Sequence, residues 1–343
     1  MHYNSNIKYN AVSIVCRSCW LRKGFNLKMA KKKKEAKLTA SGQSILKRDI
    51  LRDKQLYFML VPFLLWYALF YYYPMYGILA AFKDYKPFVG ILGSKWVGFE
   101  HFINFFSSPY AGRVIANSFL INVWSILLVF PASIILALLL NELTNKKFKT
   151  VVSTVAYLPH FVSTVVVAGL VTTFLSPTAG IINVLIEKLG FERQYFLTNP
   201  AYFRPIYTIM TAWQGVGFGT IIYTSALSAI DAELYEAASI DGANRWKQFI
   251  HITFPGILPT VAIMLIIRMG SMMAVGSEAI ILLYQPITYE TADVISTFVY
   301  RNGLVNTEYS YATAVDLFNG IIALALVTAS NFVSKKMADV SIW

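Results

Sequence analysis

The sequence predicts an all-α membrane protein, a bundle of six transmembrane helices with one short helix exposed at the cytoplasmic side. Three observations predict it. Of 343 residues, 56% are hydrophobic and 14% charged, and the mean hydropathy is +0.53, outside the usual range of soluble domains. Six apolar runs, residues 56–82, 117–140, 151–175, 205–230, 257–283 and 315–333, each hold about 20 residues or more, enough to cross a hydrocarbon core as a helix. Between them the basic residues alternate between dense and sparse segments. Backbone polar groups cannot be left bare in lipid, so the runs should be helices packed together. One membrane domain, 56–343, follows a basic N-terminal extension, 1–55, and no room remains for a soluble catalytic domain.

The net charge of +12 invites a nucleic-acid reading, but its distribution points to topology. Fourteen of the 30 Lys and Arg precede Leu56, and 21 fall there, between runs two and three, between runs four and five, or after run six. Only eight, Lys83, Lys86, Lys95, Arg113, Lys188, Arg193, Arg204 and Arg301, fall in the alternate segments. By the positive-inside rule both termini are cytoplasmic. The two cysteines, Cys16 and Cys19, cannot by themselves fill a tetrahedral zinc site. Residues 1–30 contain no apolar core of a signal peptide, and Met29-Ala30 before Lys31–Lys34 reads as an alternative translation start.

Taken in order, residues 44–55 are a helix-compatible approach to the first run, which ends near Tyr71, Tyr72 and Tyr73. These tyrosines, with Trp96 and Tyr110 of the first outer loop, are expected at headgroup depth, where aromatic residues concentrate. Run two ends at Asn141-Glu142, and a basic turn leads to run three, in which Pro159 should kink the helix beside His160. His160 reads as a packed polar residue rather than a catalytic base. Run four contains Gly215, Gly217 and Gly219, small residues that permit close helix contact. Run five carries Arg268 and Glu278, ten residues apart, about 15 Å along a regular helix and able to share a face without pairing. Residues 176–204 and 285–314 form outer loops long enough for small helices. Gln214, Arg268, Glu278 and Asp316 are the costly polar groups inside the runs, which normally face a partner or a water-filled path.

Between runs four and five lies Glu236-Ala237-Ala238-Ser239-Ile240-Asp241-Gly242-Ala243, followed by Trp246, Phe249, Ile252, Pro255 and Pro259. A plain loop needs only turn residues; this is a helix-forming segment with exposed carboxylates, a glycine and paired prolines. The spacing resembles the EAA loop of the membrane subunits of bacterial ABC importers, most closely the carbohydrate-uptake branch of maltose-type and polysaccharide-type permeases. Two further segments are similar to that family: Val97-Gly98-Phe99-Glu100-His101-Phe102 after run one, and Leu158 to Ala168 in run three. The resemblance covers roughly residues 50–343. It implies a six-span permease in the bacterial cytoplasmic membrane, pore-forming rather than enzymatic, importing an oligosaccharide or polysaccharide fragment. It also implies a heterodimer with a second homologous permease, two ATP-binding subunits, an extracellular lipoprotein solute-binding protein, and membrane lipid around the bundle. Mg-ATP would sit on the partner ATPases and no cofactor on this chain.

The resemblance gives residues their roles. Glu236, Ala237, Ala238, Asp241, Gly242, Ala243, Trp246, Phe249 and Pro255 would couple the bundle to an ATPase. Glu236 would meet a basic residue there, Gly242 would make the turn, and Trp246 and Phe249 would pack the loop on the bundle. The spans flanking the loop would touch sugar through Trp213, Gln214, Gly215 and Phe218 on one side and Arg268, Ser271, Met272 and Val275 on the other. Aromatic rings can stack on a pyranose, Gln, Ser and Arg can bond its hydroxyls, and an arginine suits an acidic or large glycan. The segment after the EAA loop departs from the Asn-rich maltose pattern, which argues for a different sugar. No G-x-x-x-x-G-K-[ST] phosphate cradle is present. The alternative reading is a stand-alone secondary transporter of a small polar solute. That class shows internal repeats and broken helices at matching places in two halves, and the sequence displays neither.

Overall fold

The computed structural model describes residues 53–273 and 276–338. Cys16, Cys19, the Met29 start, the basic extension and Val275 lie outside the described residues. The chain divides into two units, 1–76 and 77–343. In the first, α1 (Lys54–Tyr67) passes into a π turn, Ala68–Tyr72, with no buried residue in either. Trp66, Tyr67, Phe70 and Tyr71 pack ring on ring along it.

The second unit opens with a two-stranded ribbon, β1 (Lys83–Asp84) and β2 (Lys95–Trp96). Trp96 stacks on Phe82 at 5.8 Å. The helices that follow are α2 (Glu100–Ser107), α3 (Ala111–Glu142), α4 (Lys146–Tyr157), α5 (Thr164–Phe174), α6 (Ile181–Lys188) and α7 (Pro200–Ser228). They continue with α8 (Ala232–Ile240), α9 (Arg245–Gln248), α10 (Phe254–Gly270), α11 (Ser277–Leu283), α12 (Ile295–Tyr300) and α13 (Tyr309–Ala338). The outer loops therefore do carry small helices.

Among the described residues four helical stretches are long and apolar enough to cross a membrane: Lys54–Phe82, Ala111–Glu142, Arg245–Gly270 and Tyr309–Lys336. A bent pair, Lys146–Phe161 with Thr164–Phe174, makes a fifth if counted as one span. The 29-residue α7 is not among them. Its hydropathy is diluted by Gln214, four threonines and three glycines, and it is held by packing instead. Its buried Thr208 hydroxyl has no partner among the described residues, whereas three of its threonines return their hydroxyls to their own helix: Thr211 to Tyr207, Thr220 to Val216 and Thr224 to Thr220. That is how a polar side chain is satisfied where water is scarce.

Two expectations need correction. The third run is bent by 96° rather than merely kinked. Pro159 lies in a 3-10 turn, Leu158–Phe161, and Ser163 then caps a new helix. The fifth run also breaks: α10 stops at Gly270 and α11 begins at Ser277. Arg268 and Glu278 are therefore on different helices, and their shared face does not exist. Broken helices, which the sequence did not display, are present at both places. Gly270 marks the second break, because a Cβ there would stand 2.6 Å from Val327 Cγ2 on α13.

Three packed clusters hold the unit together. One joins α3, α5, α7 and α11 through Ile121, Val167, Tyr207 and Ile280. A second joins α2, α3, α12 and α13 through Phe105, Val114, Phe298 and Val315. The third, Ala137, Tyr223, Leu227 and Ile257, locks α3, α7 and α10. The α3–α7 pair is central, and α7 approaches α4 most closely at Gly217, where a Cβ would overlap the Ala156 carbonyl. Gly219 meets Ser133 on α3, while Gly215 makes only an ordinary contact with Val129. Between helices in lipid such close approach, rather than water exclusion, supplies the attraction.

Candidate functional site

Residues 231–255 form a segment whose backbone is fixed and whose side chains are left out. Asp231 caps α8 by accepting from the Glu233 amide at 3.0 Å, satisfying one of the bare donors at a helix start. The other end closes with paired bonds, Ala243 N–H to Ala238 O and Gly242 N–H to Ser239 O. Gly242 sits at φ +73°. This is the Schellman arrangement, which requires a left-handed residue at that place. Asn244 then caps α9 through the Lys247 amide. A π turn, Phe249–Thr253, precedes α10; Pro255, lacking an N–H, sits just beyond it and interrupts the regular ladder.

Side chains tie this segment to itself and to α3. Tyr235 Oη lies 3.0 Å from Thr253 Oγ1, Gln248 donates to Ser239 Oγ and Ala243 O, and Arg245 donates to Glu142 Oε2 at 2.9 Å. No residue of α8 is buried. Glu236, Ala237, Asp241 and Gly242 are exposed, Ala238 and Ala243 half-buried. Ile240, at 87% exposure, is an apolar side chain with nothing over it. An open crevice of about 690 Å³ lies beside the segment, lined by Leu138, Glu142, Tyr235, Arg245, Trp246 and Phe249 among others. Trp246 does not pack the loop on the bundle as expected. It stacks on Phe249 at 5.4 Å but stays 68% exposed, whereas Phe249 is half-buried.

The proposed sugar contacts diverge. Gln214 donates to Val162 O at 3.2 Å, and Phe218 stacks on His160 with ring centroids 3.9 Å apart. Both therefore face the break between α4 and α5, with His160 as an unforeseen neighbour. Trp213 lines a wholly apolar crevice between α5 and α7 with Leu170, Phe174 and Ile209. Gly215 faces Val129 on α3. On α10, Arg268 is exposed, and Ser271 bonds back to the Arg268 carbonyl. Met272 is enclosed, at 3% exposure, so its side chain offers no open surface.

A polar cluster that sequence reasoning did not single out joins α3, α7 and residues 289–301 at the opposite end of α3. Asp293 is fully buried. It receives two guanidinium bonds from Arg301, at 2.7 and 3.1 Å, and a hydroxyl bond from Thr297. Arg113 stands 3.6 Å away. Asn117 donates to Glu290 O and Asp293 O and accepts from Arg204 at 2.8 Å. Arg301 also lies over the Tyr289 ring. Burial opposes the Arg301 charge, but hydrogen bonding and attraction from Asp293 outweigh it and hold its pKa above the ordinary value. The only advance signal was the run of arginines among the eight outward basic residues.

The family model described as binding-protein-dependent transport system inner membrane component matches residues 129–339. The chain is 40% identical over 306 residues to Protein LplB of Bacillus subtilis, covering 89% of this chain and 96% of that one. It is 41% identical over 294 residues to the polygalacturonan/rhamnogalacturonan transport system permease protein YteP of the same organism, covering 86% and 92%. Among solved structures it is similar to a chain of a bacterial alginate ABC transporter bound to an alginate-pentasaccharide-loaded periplasmic protein. That match has 45% identity and a TM-score of 0.80, covering 86% of this chain and 99% of that chain.

Proposed function

Because the chain belongs to the binding-protein-dependent transport system inner membrane component family, we propose that it is the pore-forming permease of an ABC importer for acidic oligosaccharides. Its task is to carry uronate-containing fragments, in line with the polygalacturonan/rhamnogalacturonan and alginate in the names of its relatives. It is a multi-pass protein of the cytoplasmic membrane. Six spans, with α7 and the two broken elements each counted as crossings, place both termini and α8 at the cytoplasmic face. One chain carries one EAA helix, so two ATPases require a second, homologous permease, and the pair works with an external binding protein.

The observation that carries this reading is α8, capped at both ends, tied by Tyr235 to Thr253 just before α10, followed by α9 whose Arg245 is tied to Glu142 on α3, and with no buried residue. A rigid peg of this kind passes the closure of an ATPase dimer into the helices behind it. Glu236 and Asp241 present carboxylates to a basic partner surface, while Ala237 and Ala238 keep the contact close. Along the path, Gln214 and Phe218 with His160 offer hydrogen bonds and a stacking face. Arg268, which makes no ion pair among the described residues, offers a cation to a carboxylate.

The test is uptake into liposomes by the reconstituted complex with its partner permease, ATPases and binding protein, using labelled oligogalacturonide. Uptake should need ATP and binding protein. Transport by this chain alone under a proton or sodium gradient would sink the reading. Gln214→Ala and Phe218→Ala should each lower uptake without loss of assembly, and Trp213→Ala, on the apolar wall between α5 and α7, should act less; unchanged kinetics in the first two would move the sugar site elsewhere.

A further inference from the structure

The cluster around Asp293 is charged out of balance. Three guanidiniums surround one buried carboxylate, Arg301 and Arg113 facing it directly and Arg204 reaching it through Asn117, and Arg301 with Thr297 occupies both of its oxygens. Glu290 contributes its backbone carbonyl, and its carboxylate makes no ion pair among the described residues. A guanidinium carries five N–H donors and no acceptor. Arg113 uses none of them in a hydrogen bond among the described residues: its Nη2 is 3.6 Å from Asp293, beyond bonding reach, and its buried Nε has no partner. Arg204 uses one, to Asn117, and its buried Nε is likewise without a partner.

Partly desolvated positive charge in excess of the one carboxylate it shares is costly, and a structure keeps it where a further counter-ion arrives. The two groups are also held in place. Arg113 and Asn117 are one turn apart on the same face of α3, Asn117 bonds Arg204, and Tyr110 lies 5.1 Å from the Arg113 guanidinium. Tyr110 is 48% exposed, an aromatic face beside the Arg113 guanidinium. Planar forked donors beside an aromatic ring fit a carboxylated sugar better than they fit a neutral one.

We propose that Arg113 and Arg204 form an outer-mouth binding site for a uronate carboxylate, engaged as the glycan leaves its binding protein and before it reaches the membrane interior. The proposal deepens the acidic-glycan reading above and rests on it. In the reconstituted complex, uptake of oligogalacturonide is compared with uptake of the same oligosaccharide after its carboxyls are reduced to neutral alcohols. Arg113→Gln and Arg204→Gln should each cut the charged-to-neutral preference about tenfold, the scale of one charge-assisted hydrogen bond, and Arg→Lys should restore part of it. An unchanged preference, with both glycans slowed alike, would mean a purely structural cluster and overturn the site. A deficit seen only in vesicles containing phosphatidylglycerol, and equal for both glycans, would assign the arginines to a lipid headgroup and also overturn it.

Phenylglyoxal labelling of the wild-type complex gives a second reading free of any folding defect. Oligogalacturonide should protect Arg113 and Arg204 while the reduced glycan does not, and equal labelling with both would count against the site. Failure of the wild type to take up either glycan would instead reject the transport reading on which the site depends.

Discussion

The two ends of α3 are built on opposite plans. At its start, Asn117 and Arg113 belong to a buried cluster in which Asp293 has no exposure and every oxygen of its carboxylate is occupied. At its end, Glu142 meets Arg245 in a pair whose side chains are 62% and 85% exposed, next to a helix with no buried residue. At one end the carboxylate is enclosed by the chain while Arg113 and Arg204 keep free donors; the other end is held in shape but left uncovered. A buried charge missing its partner is expensive, whereas a solvated pair contributes little. Stability is therefore concentrated at the Asp293 end, and contact surface at the α8 end.

Asp293→Asn should have the largest effect, since it leaves Arg301 and Arg113 without their shared counter-charge. A loss of about 3–5 kcal/mol is expected, read as a lower apparent Tm of the purified complex; an unchanged Tm would break the contrast. Gly217→Ala comes next, forcing a methyl group into the Ala156 backbone. It should cost about 1–3 kcal/mol by the same measurement. Glu236→Lys should change stability by no more than about 0.5 kcal/mol. It should nevertheless lower ATP-driven uptake at least about tenfold by setting like charges against each other. Gly242→Pro, which cannot adopt φ +73°, should act in the same direction. Full uptake in both variants would remove α8 from the coupling step. The smallest effect belongs to Glu142→Gln, at under about 1 kcal/mol, and a larger loss would show that the exposed pair is more than a tether.

The α8 segment was legible because its signals are contiguous: a helix-forming run with exposed carboxylates from Glu236, Gly242 at the turn, then Pro255 and Pro259; the caps at Asp231 and Asn244 came from the structure. The Asp293 cluster was not, because Asn117 and Asp293 bond across 176 residues of sequence and each arginine alone reads as a topological charge. Pro159 announced a bend, but its size came from the separate cap at Ser163. Treating residues 257–283 as one helix missed Gly270, whose need for space against α13 is a tertiary fact. The sugar-contact set on α7 was chosen by spacing, and only Gln214 and Phe218 share surroundings. Trp213 points to a different wall because neighbouring residues on a helix diverge by about 100°.

That same angle gives the π turn at Phe249–Thr253 a further meaning. A π turn holds one residue more than the regular ladder needs, so it acts as a phase shifter between α9 and α10. Removing one residue from it would turn everything before it by about 100° around the helix axis. Tyr235 would be carried away from Thr253, Arg245 from Glu142, and α8 to a different azimuth of the bundle. The azimuth at which α8 stands on the bundle is thus set by a single supernumerary residue.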